Sequence, residues 1–249
     1  MILLFTDFGH EGPYVGEMHM AIKDTAPAET VIDLMHDAPT HNPKAAAYLL
    51  AALSTRFPPE SHCVAVVDPG VGGDRPPVIV RANSRWFVGP GNGLFEIICR
   101  RAADARQWPL DWRPPVLSRS FHGRDLFAPA AAQLATGCQP DESEARDWRA
   151  NANRPGADWP DDLPEIIHID RFGNAITGAR PPKPSAAGSG RMKIGDHDIK
   201  NAGVFSDVSP GEQFWYENSM GLVEIAVNQG NAALEMGLQV GDTISCFAA

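Results

Sequence analysis

The chain has no cysteine pattern to organise it. Cys63, Cys99, Cys138 and Cys246 are scattered without a CxxC pair, and Cys63 and Cys99 lie in apolar runs where a thiol behaves as a small hydrophobe. A reducing compartment is therefore expected. Long apolar runs are missing too. Nothing approaches the roughly 20 residues needed to span a bilayer, and residues 1–5 make only a strand-length run that breaks at Thr6-Asp7 instead of a leader. The expectation is a soluble cytoplasmic protein with no membrane partner. Positive charge is scarce, 21 Lys and Arg against 31 Asp and Glu, giving a net charge of -10. Such a balance lacks the basic footprint that neutralises phosphates and argues against a nucleic-acid partner. There is no Walker motif, no GxGxxG loop and no GxSxG elbow. His36 and His41 straddle Pro39, so they do not form the i, i+4 pair of a helical metal site, and no metal is expected.

What is present alternates short apolar runs with helical periods. Residues 2–5 and 64–67 read as buried strands, and residues 31–34 as a further strand. Between them, residues 14–25 place Val15, Met18 and Ile22 on one helical face, and residues 44–57 follow the N-cap Asn42 and the favourable first-turn Pro43. This β-α-β-α-β order implies a parallel sheet with right-handed crossovers. Residues 78–81 and 86–88 read as a hairpin around Asn83-Ser84, and helices are expected over 94–101 and 129–136, the second stopped by Gly137. From 139 to 164 Pro, Asp, Glu, Arg and Asn dominate, which reads as a linker. Strands are expected at 165–169, 192–194, 213–217 and 222–227, with a loop at 181–190 and at most a helical turn at 231–236. The expected architecture is an α/β N-terminal domain with a mainly parallel sheet (1–138), a linker (139–164) and a smaller all-β, barrel-like C-terminal domain (165–249).

The stretch VAVVDPGVGGDR, residues 64–75, ends a strand in a carboxylate and continues into a glycine loop. Ligands in open α/β sheets bind beyond the carboxyl ends of strands, so Asp68 and Arg75 bracket a natural site, although a tight turn with a surface ion pair would read the same way. Asp7 ends the first strand, where a carboxylate either accepts hydrogen bonds from a ribose diol or caps loop amides. His122, flanked by Gly123, Arg124 and Asp125, has room for a ligand and neighbours that shift its pKa. With Asp68 and Arg75 it would form a set able to hold and polarise a water. In the second domain Asp170 suits an ammonium, Asn174 a purine edge and Phe172 an aromatic ring, unless the segment is an Asx-type turn with Phe172 in the core. Ser219 would hold a carboxylate.

The motifs TDFG (6–9), YVGEM (14–18), VIDLMHD (31–37), VVDPGVG (66–72), FHGRDLFAP (121–129), DRFGN (170–174), NSMG (218–221) and AVNQGNAA (226–233) occur in this order. Together they resemble the S-adenosyl-L-methionine hydroxide adenosyltransferases, relatives of the fluorinase and chlorinase enzymes. The resemblance implies hydrolysis of S-adenosyl-L-methionine to adenosine and L-methionine, with no cofactor beyond the substrate. It also implies a homotrimer whose sites lie between the N-terminal domain of one subunit and the C-terminal domain of the next. On this resemblance Asp68, Arg75 and His122 match the water-activating triad and Asp7 the ribose-binding carboxylate. Asp170 and Ser219 match groups holding the methionine end, and Phe172 and Asn174 positions lining the adenosine. Two alternatives stay open: a halide-dependent adenosyltransferase forming 5'-halo-5'-deoxyadenosine, and a protein that binds the substrate without turnover. Gly91, where the family commonly has Asp, and the segment His41-Asn42-Pro43 depart from the family pattern.

Overall fold

The computed structural model describes residues 1–182 and 190–245, so Cys246 and most of the loop expected at 181–190 lie outside the described residues. The chain forms two compact units, Met1–Asp158 and Trp159–Ala249.

The first unit opens with β1 (Ile2–Thr6), α1 (Tyr14–Thr25), β2 (Val31–Met35), α2 (Pro43–Ser54) and β3 (His62–Val66). As expected, Asn42 caps α2, its side-chain oxygen accepting the Ala45 amide at 3.0 Å. Residues 45–52 of α2 are buried on every side, in keeping with a helix apolar all round. β4 (Pro77–Ala82), β5 (Arg85–Pro90), α3 (Glu96–Arg101), β6 (Ala105–Pro109), α4 (Ala128–Ala135) and β7 (Arg146–Asp147) complete the unit. The sheet order is β2-β1-β3-β5-β4-β6-β7.

This sheet is mixed, which corrects the expectation of a mainly parallel one. β2, β1, β3 and β5 run parallel, while β4 pairs antiparallel with β5 and β6, and β6 with β7. The cause is the hairpin at Asn83-Ser84, whose residues both take positive φ (47° and 59°), the backbone a tight two-residue turn requires. It sends β4 back along β5 and offers the next strands an antiparallel edge. β6, ARQWP, escapes sequence reading because its exposed positions interrupt the apolar run.

The stretch read as a linker is also corrected over much of its length. β7 lies within it, Trp148 is buried and donates its indole N–H to Glu96 at 2.9 Å, and Arg154 donates to both oxygens of the same carboxylate. Glu96 is fully buried and Arg100 adds another hydrogen bond, so a charge that would be costly alone is paired and satisfied. One tryptophan and two guanidinium groups do here what apolar periodicity does elsewhere.

The second unit contains β8 (Leu163–Ile169), β9 (Ala175–Gly178), β10 (Arg191–Ile194), β11 (His197–Asn201), β12 (Gln213–Glu217), β13 (Val223–Val227), α5 (Ala232–Met236) and β14 (Ile244–Ser245). Its sheet order is β14-β10-β11-β12-β13-β9-β8. A bridge between Glu165 in β8 and Thr243 beside β14 links the two edges, so the sheet nearly closes into a barrel around Trp215, Val223 and Ile225. The helical turn expected at 231–236 is α5, capped by the Asn231 side chain on the Leu234 amide and ended by left-handed Gly237.

Candidate active site

β1 lies between β2 and β3, so the connections leaving β1 and β3 diverge and open a crevice at their carboxyl ends. Thr6 pairs with Val66 across these strands. Asp7 and Asp68, just beyond, therefore emerge side by side on the wall of a cavity of about 330 Å³, which His122 also lines. The Asp7 carboxylate accepts the His41 amide at 3.0 Å, and His41 holds the unusual φ of 54° that aims its amide there.

The loop after Asp68 folds back so that Arg75 meets it. Arg75 Nε donates to Asp68 Oδ2 at 2.9 Å and Nη2 donates to the same oxygen. Both side chains are nearly withdrawn from solvent, at 3% exposure for Asp68 and 11% for Arg75. The guanidinium lies 5.3 Å over the buried Phe127 ring. Gly72 permits this path: with φ of +79°, a Cβ there would stand 2.4 Å from the Arg119 carbonyl oxygen. Asn92, from the second glycine-rich loop, donates to the Val67 carbonyl at 2.9 Å and ties that loop to the end of β3. A Cβ at Gly91 would come within 2.8 Å of the Pro76 carbonyl oxygen, so a side chain there would require this backbone to shift.

His122 stands at the mouth of a π-helical turn, Gly123–Phe127, that runs into α4, an irregularity frequent at functional sites. Arg75 Nη2 lies 2.9 Å from His122 Nδ1. A guanidinium only donates, so Nδ1 accepts and the neutral ring carries its proton on Nε2. Burial first, and then the Arg75 cation, hold the imidazole below its ordinary pKa against the opposing pull of Asp68. The sequence neighbours Arg124 and Asp125 chiefly engage each other and Glu17 instead.

Among the described residues, Asp68 Oδ1 is buried and has no hydrogen-bond partner. The site thus offers an anionic acceptor whose other oxygen is neutralised by Arg75, beside a neutral imidazole. Such a pair suits holding a water by one hydrogen and one lone pair. Sequence reading missed the aromatic wall of Phe8, Tyr14 and Phe121, whose ring centroids lie 5.4 to 6.0 Å apart. Each sits inside a motif quoted for its polar neighbours, and Phe8, just after the end of β1, was the available signal.

The other four predicted residues belong to the second unit. Asp170, Phe172 and Asn174 line a cavity of about 460 Å³. Asp170 Oδ1 accepts the amides of Phe172 (2.8 Å) and Asn174 (2.9 Å), and Oδ2 accepts Asn174 Nδ2 at 3.1 Å. The segment is therefore an Asx-type turn, but Phe172 is 66% exposed and not in the core. Ser219 is exposed in the turn after β12, which Asn218 organises by accepting the Met220 and Leu222 amides.

Residues 2–144 match the SAM hydroxide adenosyltransferase N-terminal domain, and residues 164–245 match its C-terminal domain. The chain belongs to that family. An (R)-S-adenosyl-L-methionine hydrolase of Thermus thermophilus is 35% identical over 262 residues, with 96% of each chain covered. A protein of the same name from Salinispora tropica is 32% identical over 258 residues, covering 98% of this chain and 96% of the other. A crystal structure of an uncharacterized conserved protein from Thermotoga maritima superposes with a TM-score of 0.83 at 30% identity, covering 98% of this chain and 99% of that one. Among the described residues of this adenosyltransferase family member, no group of three or more His, Cys, Asp or Glu side chains is placed to hold a metal ion, and no helix is long and apolar enough to cross a membrane.

Proposed function

We propose that this family member hydrolyses S-adenosyl-L-methionine to adenosine and L-methionine. Water attacks ribose C5' in line with the sulfonium, the C5'–S bond breaks, the thioether leaves with the electron pair, and one proton is released. The leaving group is neutral and needs no acid, so the protein's task is the nucleophile and no cofactor is called for. The observation carrying this reading is the buried, unpartnered Asp68 Oδ1 beside Arg75-paired Oδ2 and His122. Asp68 takes the water's proton, because His122 presents a proton on Nε2 and has its Nδ1 lone pair engaged. Arg75 offsets the carboxylate and favours developing hydroxide. Asp7 receives the ribose diol.

Asp170, Phe172, Asn174 and Ser219 serve as the recognition set for the adenosine and methionine ends. We further propose a homotrimer in which the N-terminal unit of one subunit and the C-terminal unit of the next complete each site. A halide nucleophile is disfavoured, since an anion placed against the free oxygen of Asp68 is repelled.

The test is mass spectrometry of products formed in oxygen-18 water from the separated (R) and (S) sulfonium epimers, the relatives being named for the (R) form. Labelled adenosine with unlabelled methionine, formed faster from the (R) epimer by a protein that scatters light as a trimer, is the expected result. Unlabelled adenosine, or 5'-halo-5'-deoxyadenosine on adding chloride, overturns the hydrolytic reading, and a fully active monomer overturns the assembly.

A further inference from the structure

Behind the first cavity lies a chain of polar side chains that the proposed chemistry does not use. Thr6, the last residue of β1, and His36, the first residue beyond β2, are both fully buried. Thr6 Oγ1 lies 2.8 Å from His36 Nδ1. His36 Nε2 faces Asp33 Oδ1 at 3.1 Å, off-line for a hydrogen bond but close enough for charge attraction. His19, from α1, reaches the same oxygen at 2.7 Å. A carboxylate beside Nε2 favours the proton there, which leaves Nδ1 to accept the threonine hydroxyl. Burial pulls the Asp33 carboxyl upward, but the two imidazoles outweigh it and keep that carboxyl below its ordinary range, so it is anionic at neutral pH.

The sequence of groups resembles a hydroxyl–imidazole–carboxylate triad, but Thr6 has no exposed surface and its hydroxyl cannot meet a substrate. What it meets is the loop that carries Asp7. Thr6 Oγ1 accepts the Phe8 amide at 3.3 Å, the Thr6 carbonyl accepts the Ala38 amide at 3.1 Å, and the His36 carbonyl accepts the Gly9 amide at 2.7 Å. His10 closes over the His36 ring at 5.2 Å between centroids. Residues 7–10 are thus laced to the end of β2 on both sides of Asp7, while the Asp7 carboxylate is held from a third direction by the His41 amide.

We propose that Thr6 and His36 are positioning residues for substrate binding. The hydroxyl–imidazole contact, braced by Asp33 and His19, fixes the Asp7-Phe8 turn so that the Asp7 carboxylate is preorganised for a vicinal diol such as that of a ribose. The inference rests on the ribose-binding role given to Asp7 above.

The experiment compares the full chain with Thr6→Val and Thr6→Ser, in steady-state hydrolysis of S-adenosyl-L-methionine and in calorimetric binding of adenosine. Valine keeps the shape but leaves His36 Nδ1 buried without a donor, and serine restores the hydroxyl. We expect KM to rise about tenfold in Thr6→Val with kcat changed less than about threefold, adenosine affinity to fall in parallel, and Thr6→Ser to recover most of both. An unchanged KM and adenosine affinity in Thr6→Val overturn the proposal. So does a loss confined to kcat, or an equal defect in Thr6→Ser, which would assign the effect to methyl packing. If circular dichroism shows Thr6→Val unfolded, Asp33→Asn at the exposed end of the chain replaces it, with a rise in KM of about two- to fivefold expected and no rise overturning the idea. If the wild-type protein releases no adenosine from S-adenosyl-L-methionine, the hydrolase reading fails, and adenosine binding still decides the positioning role.

Discussion

Asp68 and Asp170 both follow a β-strand and both line a cavity, yet their hydrogen bonds go to different places. Asp68 gives one oxygen to Arg75 and keeps the other buried and unpartnered. Asp170 spends three hydrogen bonds on the backbone and side chain of its own turn. A buried acceptor left free is costly to stability, so the first carboxylate is poised for something outside the fold. The second is chiefly a brace that sets the orientation of Phe172 and Asn174. Under the proposed function the difference sets Asp68, as the bond-making carboxylate, apart from Asp170, as a recognition carboxylate.

The sharpest way to break this division is Asp68→Asn, which turns the free acceptor into an amide while keeping the shape. Adenosine formation measured by chromatography should fall by at least about 100-fold, nearly all of it in kcat. Retention of more than a tenth of the wild-type kcat would remove Asp68 as the proton acceptor. Asp170→Ala should behave differently. Loss of its turn-bracing bonds should lower stability by roughly 2 kcal/mol in urea denaturation and raise KM about tenfold, with kcat within a few-fold of wild type. A collapse of kcat as deep as that of Asp68→Asn would erase the contrast between the two carboxylates.

How far the sequence discloses this arrangement depends on whether a feature is local. β1, β3 and α2 are legible because apolar runs and the Asn42-Pro43 start are contiguous, and Asp7 and Asp68 stand out as carboxylates ending such runs. The hairpin at Asn83-Ser84 is legible for the same reason, but its consequence, that β4 lies outside β5 and makes the sheet mixed, is a matter of pairing between distant residues. The segment that carries β7 looks like a linker because Trp148 and Arg154 bond to the buried carboxylate of Glu96, which lies 52 and 58 residues before them. His122 offers the instructive case within the site. Its sequence neighbours Arg124 and Asp125 look like its partners, whereas the contact that sets its tautomer comes from Arg75, 47 positions away.

That contact sharpens the comparison in its smallest expected effect, the pH dependence of the first site. Burial and Arg75 lower the pKa of His122, so the folded protein takes up this proton at lower pH than the unfolded chain, whose imidazole titrates near about 6.5. Its contribution to stability is therefore fully present above about 6.5 and is lost as pH falls from there through the lowered folded value. His62, also lowered by burial, contributes with the same sign. Protonation of His122 at Nδ1 would set an N–H against the Arg75 N–H, breaking the contact that aligns the pair. Activity should fall on the acid side with an apparent pKa below about 6.5, the loss lying in kcat while KM changes little over the same range. The imidazole C–H resonances of His122, followed by NMR, should titrate below the ordinary value in the wild type. In Arg75→Gln the loss of Arg75's repulsion is reinforced by the loss of its screening of Asp68, and since both changes raise the pKa, the titration should move upward. An unchanged titration would mean that burial alone governs the ring and that the guanidinium does not hold His122 in the neutral form that the water-binding geometry requires.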